Sequence, residues 1–98
     1  MSLHMMGKVI DSSLPAEYKL LLLVMADSTD PEGKGYVSIE HVAKKCSLGF
    51  DYAEGIVENL VLDGILSPYK FSFEVQGFSF RINEHHGVFE HQSAGDNL

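Results

Sequence analysis

The sequence predicts a single α+β domain, with three helices and one short strand followed by a C-terminal β-hairpin. Three observations predict it. A chain of 98 residues supplies one hydrophobic core, burying somewhat over ~60% of the surface that its unfolded form exposes. Apolar residues recur at helical spacing in three separate segments, and then at every second position in a phenylalanine-rich segment. Composition agrees, at 45% hydrophobic, 21% charged and 10% aromatic, which is that of a folded globule.

Residues 1–10 lack a clear period and read as a flexible N-terminal segment. Met5 and Met6 offer further start residues, so Met1 to Met5 read as partly vector sequence outside the fold. The first helix runs from Leu14-Pro15 to about Asp27: Pro15 suits the first turn, Ser12 or Ser13 can cap it, and Glu17 suits its positive end. Tyr18, Leu21, Leu22 and Met25 share a face at i, i+3, i+4 and i+7. Leu20, Leu23 and Val24 widen the apolar zone, so this helix needs a second cover, either a homodimer partner or the segment before Leu14.

Asp27 to Gly35 is a loop, marked by Asp30-Pro31, Gly33 and Gly35. Its Asp27, Asp30 and Glu32 do not match the spacing of a calcium loop, so no metal is assigned there. Tyr36-Val37 is a short extended stretch. Ser38 then caps a second helix with Ile39, Val42, Ala43 and Cys46 inside and Lys44 and Lys45 outside. Ser47-Leu48-Gly49 is a tight turn.

The third helix spans Asp51 to Asp63, with Asp51-x-x-Glu54 as a capping box, a buried stripe of Ala53, Ile56, Val57 and Leu60, and Gly64 as its left-handed stop. Gly55 inside it costs about 1 kcal/mol relative to alanine and implies close packing or a close partner. Ile65 to Val75 and Phe78 to Ile82 form the hairpin. A Gln76-Gly77 turn sets Val75 opposite Phe78, Phe73 opposite Phe80 and Phe71 opposite Ile82, all on one face, with Arg81 opposite Ser72 on the other. Residues 11–83 make the domain, and 84–98 read as a mobile polar tail.

The order of elements, and Ser38-Ile39-Glu40-His41-Val42-Ala43-Lys44-Lys45-Cys46-Ser47-Leu48 in particular, resembles the S-I-x-x-L-A-K-x-T-G-L stretch of bacterial and phage winged helix-turn-helix domains. Leu60-Val61-Leu62-Asp63-Gly64-Ile65-Leu66 is similar to their L-E-x-x-G-L-I ending. Leu22 to Asp27 with the acidic loop and Tyr36 to Ile39 resembles the opening of winged helices from phage replisome-organiser proteins. The resemblance implies a winged helix with double-stranded DNA as partner, serving transcription regulation or replication initiation, with the third helix as the reader.

Residue chemistry departs from that pattern. Seven Lys and Arg stand against fourteen Asp and Glu, a net charge of −7, opposite in sign to a non-specific phosphate binder. Outward positions of the third helix are Gly49, Phe50, Asp51, Tyr52, Glu54, Gly55, Glu58 and Asn59, none basic. A DNA reader would therefore have to use Lys44, Lys45, Tyr52, Asn59, Lys70 and Arg81. The alternative is a protein-docking module that has lost DNA binding and presents Phe50, Asp51, Tyr52, Glu54, Gly55 and Glu58.

Other chemistry is not expected. Cys46 reads as a buried structural thiol, with His41 rotated about 140° away along the helix. His85, His86 and His91 with Glu84 and Glu90 carry no fixed ligand geometry, and no nucleophile elbow or phosphate loop is present. Neither an enzyme nor a cofactor or metal is expected. The lone cysteine and the short apolar run Leu20 to Ala26 point to a cytoplasmic protein with no membrane partner.

Overall fold

The computed structural model describes residues 2–72 and 77–90, with the side chains of 69–72 outside the description. In chain order these residues form α1 (Leu3–Ile10), α2 (Ala16–Ala26), β1 (Lys34–Val37), α3 (Ile39–Lys45), α4 (Phe50–Leu62), β2 (Leu66–Ser72), β3 (Gly77–Ile82) and a short 3-10 turn at Gly87–Phe89. The result is an α+β domain in which four helices, among the described residues, accompany a three-stranded antiparallel sheet of order β1-β3-β2.

The N-terminal segment, expected to be flexible, is the helix α1. The Ser2 side chain caps it by accepting from Met5 N at 3.2 Å, and Met5 and Val9 are fully buried. Met6, partly buried, packs against the core beside them, so Met5, Met6 and Val9 make one helical face at i, i+1 and i+4. Leu3 and Ile10 stay exposed. Ser12 ends α1, its hydroxyl donating to Val9 O at 2.7 Å, and so is not the cap of α2. Pro15 precedes α2 without a side-chain cap. Leu21, Leu22, Met25 and Ala26 are its buried face, and α1 packs against it as the second cover. Leu20 remains 44% exposed.

The acidic loop organises itself. Asp30 Oδ1 accepts from Glu32 N at 2.9 Å and from Lys34 N at 3.0 Å, and the Lys34 amide in particular holds its carboxyl below the usual range. Ser38 caps α3 through His41 N at 3.3 Å. The helix closes with Leu48 N bonded to Ala43 O and Ser47 N to Lys44 O, a Schellman pattern in which Ser47 takes the left-handed conformation that usually selects glycine. α4 ends in the same way, with Ile65 N on Leu60 O, Gly64 N on Val61 O and Gly64 at φ +79°.

Two expectations about α4 and the hairpin are corrected. α4 begins at Phe50 with Gly49 as an N-cap that lends no side chain, so Asp51 lies inside the first turn and does not start a capping box. In the ladder, Phe71 pairs with Phe78, Ser72 with Gly77 and Leu66 with Ile82. The Gln76-Gly77 turn is therefore excluded by Gly77 being a paired strand residue, and the Phe73 and Val75 pairings fall outside the described residues. At Phe78 the partner is Phe71 and not Val75, an even shift of four that leaves the same residues on the same face and that alternation alone cannot detect; at Ile82 it is Leu66 and not Phe71, a shift of five. A register irregularity between Pro68 and Lys70 also sits where an edge strand tolerates proline.

The inner face of the sheet, Val37, Leu66, Phe78, Phe80 and Ile82, joins Met5, Val9, Leu21, Leu22, Met25, Val42, Ile56 and Leu60 in one core. The part of the expected tail up to Glu90 is held to it. Asn83 Nδ2 donates to Gly64 O and Ser67 Oγ, His86 Nδ1 accepts from Val88 N while Nε2–H donates to Asp63 O at 2.8 Å, and Phe89 is buried.

Met5→Ala is expected to destabilise the domain by about 2–5 kcal/mol in a urea melt, an effect that a flexible segment would not produce. Phe80→Ala is expected to cost about 3–5 kcal/mol and Ser79→Ala within about 0.5 kcal/mol. Similar small effects at Phe80 and Ser79 would mean that the strand is assigned to the wrong face.

Candidate macromolecular interface

α4 turns Ala53, Ile56, Val57 and Leu60 inward, which at about 100° per residue directs Asp51, Gly55, Glu58 and Leu62 outward as one ridge. Asp51, Glu54 and Glu58 are exposed, and none of the three joins an ion pair among the described residues. Beside them Phe50, Tyr52 and Leu62 are 47%, 54% and 82% exposed. A Cβ added at Gly55 would meet nothing within 4 Å. Among the described residues Gly55 therefore has no close packing, and the middle of the ridge is flat.

The two polar residues expected to read bases are tied to the neighbouring helix. Tyr52 Oη donates to Glu17 Oε1 at 2.5 Å, and that carboxylate pushes the phenol above its ordinary range. Asn59 Nδ2 donates to Tyr18 Oη at 2.7 Å. Both bonds cross from α4 to α2 and turn these groups along the flank of α4, away from its outermost line. Each partner is exposed or half-exposed, so water competes for these groups and the bonds orient more than they stabilise.

The basic candidates separate into two places. Lys44 and Lys45 are exposed on the last turn of α3, where cations offset the negative helix end. Arg81 lies on β3 between Lys34 and Ser67 in register, and not opposite Ser72 as expected. Lys70 falls opposite Ser79. Register thus brings Lys34 and Arg81 to one side of the sheet and leaves Lys44 and Lys45 apart from them. Tyr36, opposite Ser79 and 46% exposed, shares that side and was not among the sequence candidates. A four-residue strand is too short for its alternation to be read.

Cys46 is buried, and burial pushes its thiol up. Among the described residues no three His, Cys, Asp or Glu side chains gather as a metal site, and no helix is long and apolar enough to cross a membrane. No protein-family model, curated protein or solved structure matches the chain.

Proposed function

We propose that the domain is a winged helix that docks a protein through α4, in place of reading duplex DNA with it. The element order and the β1-β3-β2 sheet support the winged-helix reading, with α2, α3 and α4 as the three helices of that fold, α1 as an addition, and β2 and β3 as the wing. The observation that carries the functional half is the pair of bonds Tyr52 to Glu17 and Asn59 to Tyr18. They engage the only neutral polar side chains that α4 could offer to bases. What remains outward is Asp51, Glu54 and Glu58, which repel phosphates within a Debye length of about 8 Å. The exposed Phe50, Tyr52 and Leu62 supply the aromatic and apolar contact found at the centre of protein interfaces.

A duplex-DNA titration across salt tests this reading. At about 100 mM salt and tens of micromolar protein no duplex binding is expected, and Glu54→Lys combined with Glu58→Lys creates non-specific affinity that the native chain lacks. Leu62→Gln leaves the urea midpoint in place, within about 0.5 kcal/mol, because the fold does not use that side chain. Tight duplex binding that weakens on charge reversal at Lys44, Lys45, Lys70 and Arg81, and whose sequence preference changes on Tyr52 or Asn59 substitution, would overturn it. That outcome would favour the transcription or replication-initiation reader that the sequence resembles.

A further inference from the structure

We propose that the solvent face of the sheet is a contact surface for single-stranded nucleic acid, independent of what α4 binds. Residues paired across an antiparallel ladder share a face. The pairs Lys34 with Arg81, Tyr36 with Ser79 and Ser67 with Arg81 therefore set five residues on the side opposite Phe78, Phe80 and Ile82, which are buried, and Lys70 takes the register position opposite Ser79. They form two rows across the three strands, Tyr36-Ser79-Lys70 and Lys34-Arg81-Ser67. Rows two residues apart are about 6.6 Å from each other, comparable with successive phosphates of an extended strand.

The charge of this face opposes that of the chain. The three strands hold three of the seven Lys and Arg and none of the fourteen Asp and Glu. Arg81 is exposed and joins no ion pair among the described residues. Lys34 Nζ stands 3.3 Å from Glu32 Oε1, and Asp30, whose Oδ1 accepts from Lys34 N at 3.0 Å, is a second loop carboxylate at this end of the strand. Tyr36 supplies the other half of the recognition. A Cβ built on Gly77 would come within 2.1 to 2.4 Å of the end of the Tyr36 side chain, so the phenol lies directly against the Gly77 backbone, with 46% of the residue exposed. A partly exposed aromatic on the same face as an arginine and serine hydroxyls matches an unpaired base on a phosphate backbone. In a duplex the base faces are already stacked, which removes the contribution of Tyr36.

The test is fluorescence anisotropy with a labelled oligothymidine of about 12 nucleotides and a duplex of the same length, starting at about 25 mM salt. The native chain is expected to bind the single strand more tightly than the duplex. Its log affinity should fall with log salt at a slope near −2, about −0.7 for each of three phosphates. Arg81→Gln and Tyr36→Ala should each weaken binding roughly five-fold or more, and Tyr36→Phe should bind as the native chain does. Thermal melts accompany each variant, and Arg81→Gln keeps the test decisive if Tyr36→Ala loosens the strand. Absence of single-strand binding at the lowest salt, native affinity in Arg81→Gln, or a duplex bound as tightly as the single strand would overturn the proposal. None of these results depends on the α4 variants, so failure of one reading is distinct from failure of the other.

Discussion

The fit of Phe80 beneath Gly35 is the constraint on which the rest of the domain depends. Phe80 is fully buried on the central strand, with its ring 5.9 Å from that of Phe78 and nearly parallel to it. A Cβ at Gly35 would stand 2.8 Å from the ring and 2.7 Å from Ser28 O, so β1 can close on β3 only with glycine at this position. Gly33, at φ +86° with Ile82 O 2.9 Å from where a Cβ would be, repeats the condition two residues earlier. Once β1 is seated, alternation does the remainder: Val37 enters the core, and Lys34 and Tyr36 are forced to the opposite face. Burial of a phenylalanine of this kind contributes about 1.5–3 kcal/mol, and the same contact decides which side chains reach solvent.

That sorting gives one small domain two surfaces of opposite sign. Acids line the outer ridge of α4, and cations line the outer side of the sheet. α4 packs on β2, so the thickness of a helix, about 10 Å, separates the ridge from the strands. The carboxylates of α4 and the outward residues of the strands thus lie apart, and the net charge of −7 describes neither surface by itself. A formal charge summed over the chain excludes a uniform electrostatic footprint but says little about a face three strands wide.

The helices from α2 onward were legible because their buried stripes are long enough to repeat: Leu21, Leu22 and Met25, then Val42 and Ala43, then Ala53, Ile56, Val57 and Leu60. α1 was not, since setting Met1 to Met5 aside as vector sequence cut through the face that Met5, Met6 and Val9 form against the core. Helix starts were misread where a side chain looked able to cap. Ser12 turned back to α1 and Asp51 fell inside α4, because capping depends on the path of the preceding chain, which local spacing does not encode. The hairpin alternation identified the inner face correctly and the register wrongly, since the shift of four at Phe78 is silent and the irregularity between Pro68 and Lys70 makes it five at Ile82. Among candidate site residues, the acids of α4 were legible as exposed positions. The engagement of Tyr52 and Asn59 by Glu17 and Tyr18 was not, since it joins residues 35 and 41 apart in the chain.

Gly55 carries the argument about α4 one step further. Glycine in a helix interior costs about 1 kcal/mol relative to alanine, and helices accept it where backbone must come close to something. Among the described residues no such neighbour is present, since an added Cβ would touch nothing within 4 Å. Leu62, four-fifths exposed at the end of the same ridge, is equally unused by the core. Stability alone would favour alanine at the first position and a polar residue at the second. On the proposed docking reading, a flat spot between carboxylates, with an apolar side chain at one end and aromatics along the flanks, is the relief that would let another backbone approach α4 closely.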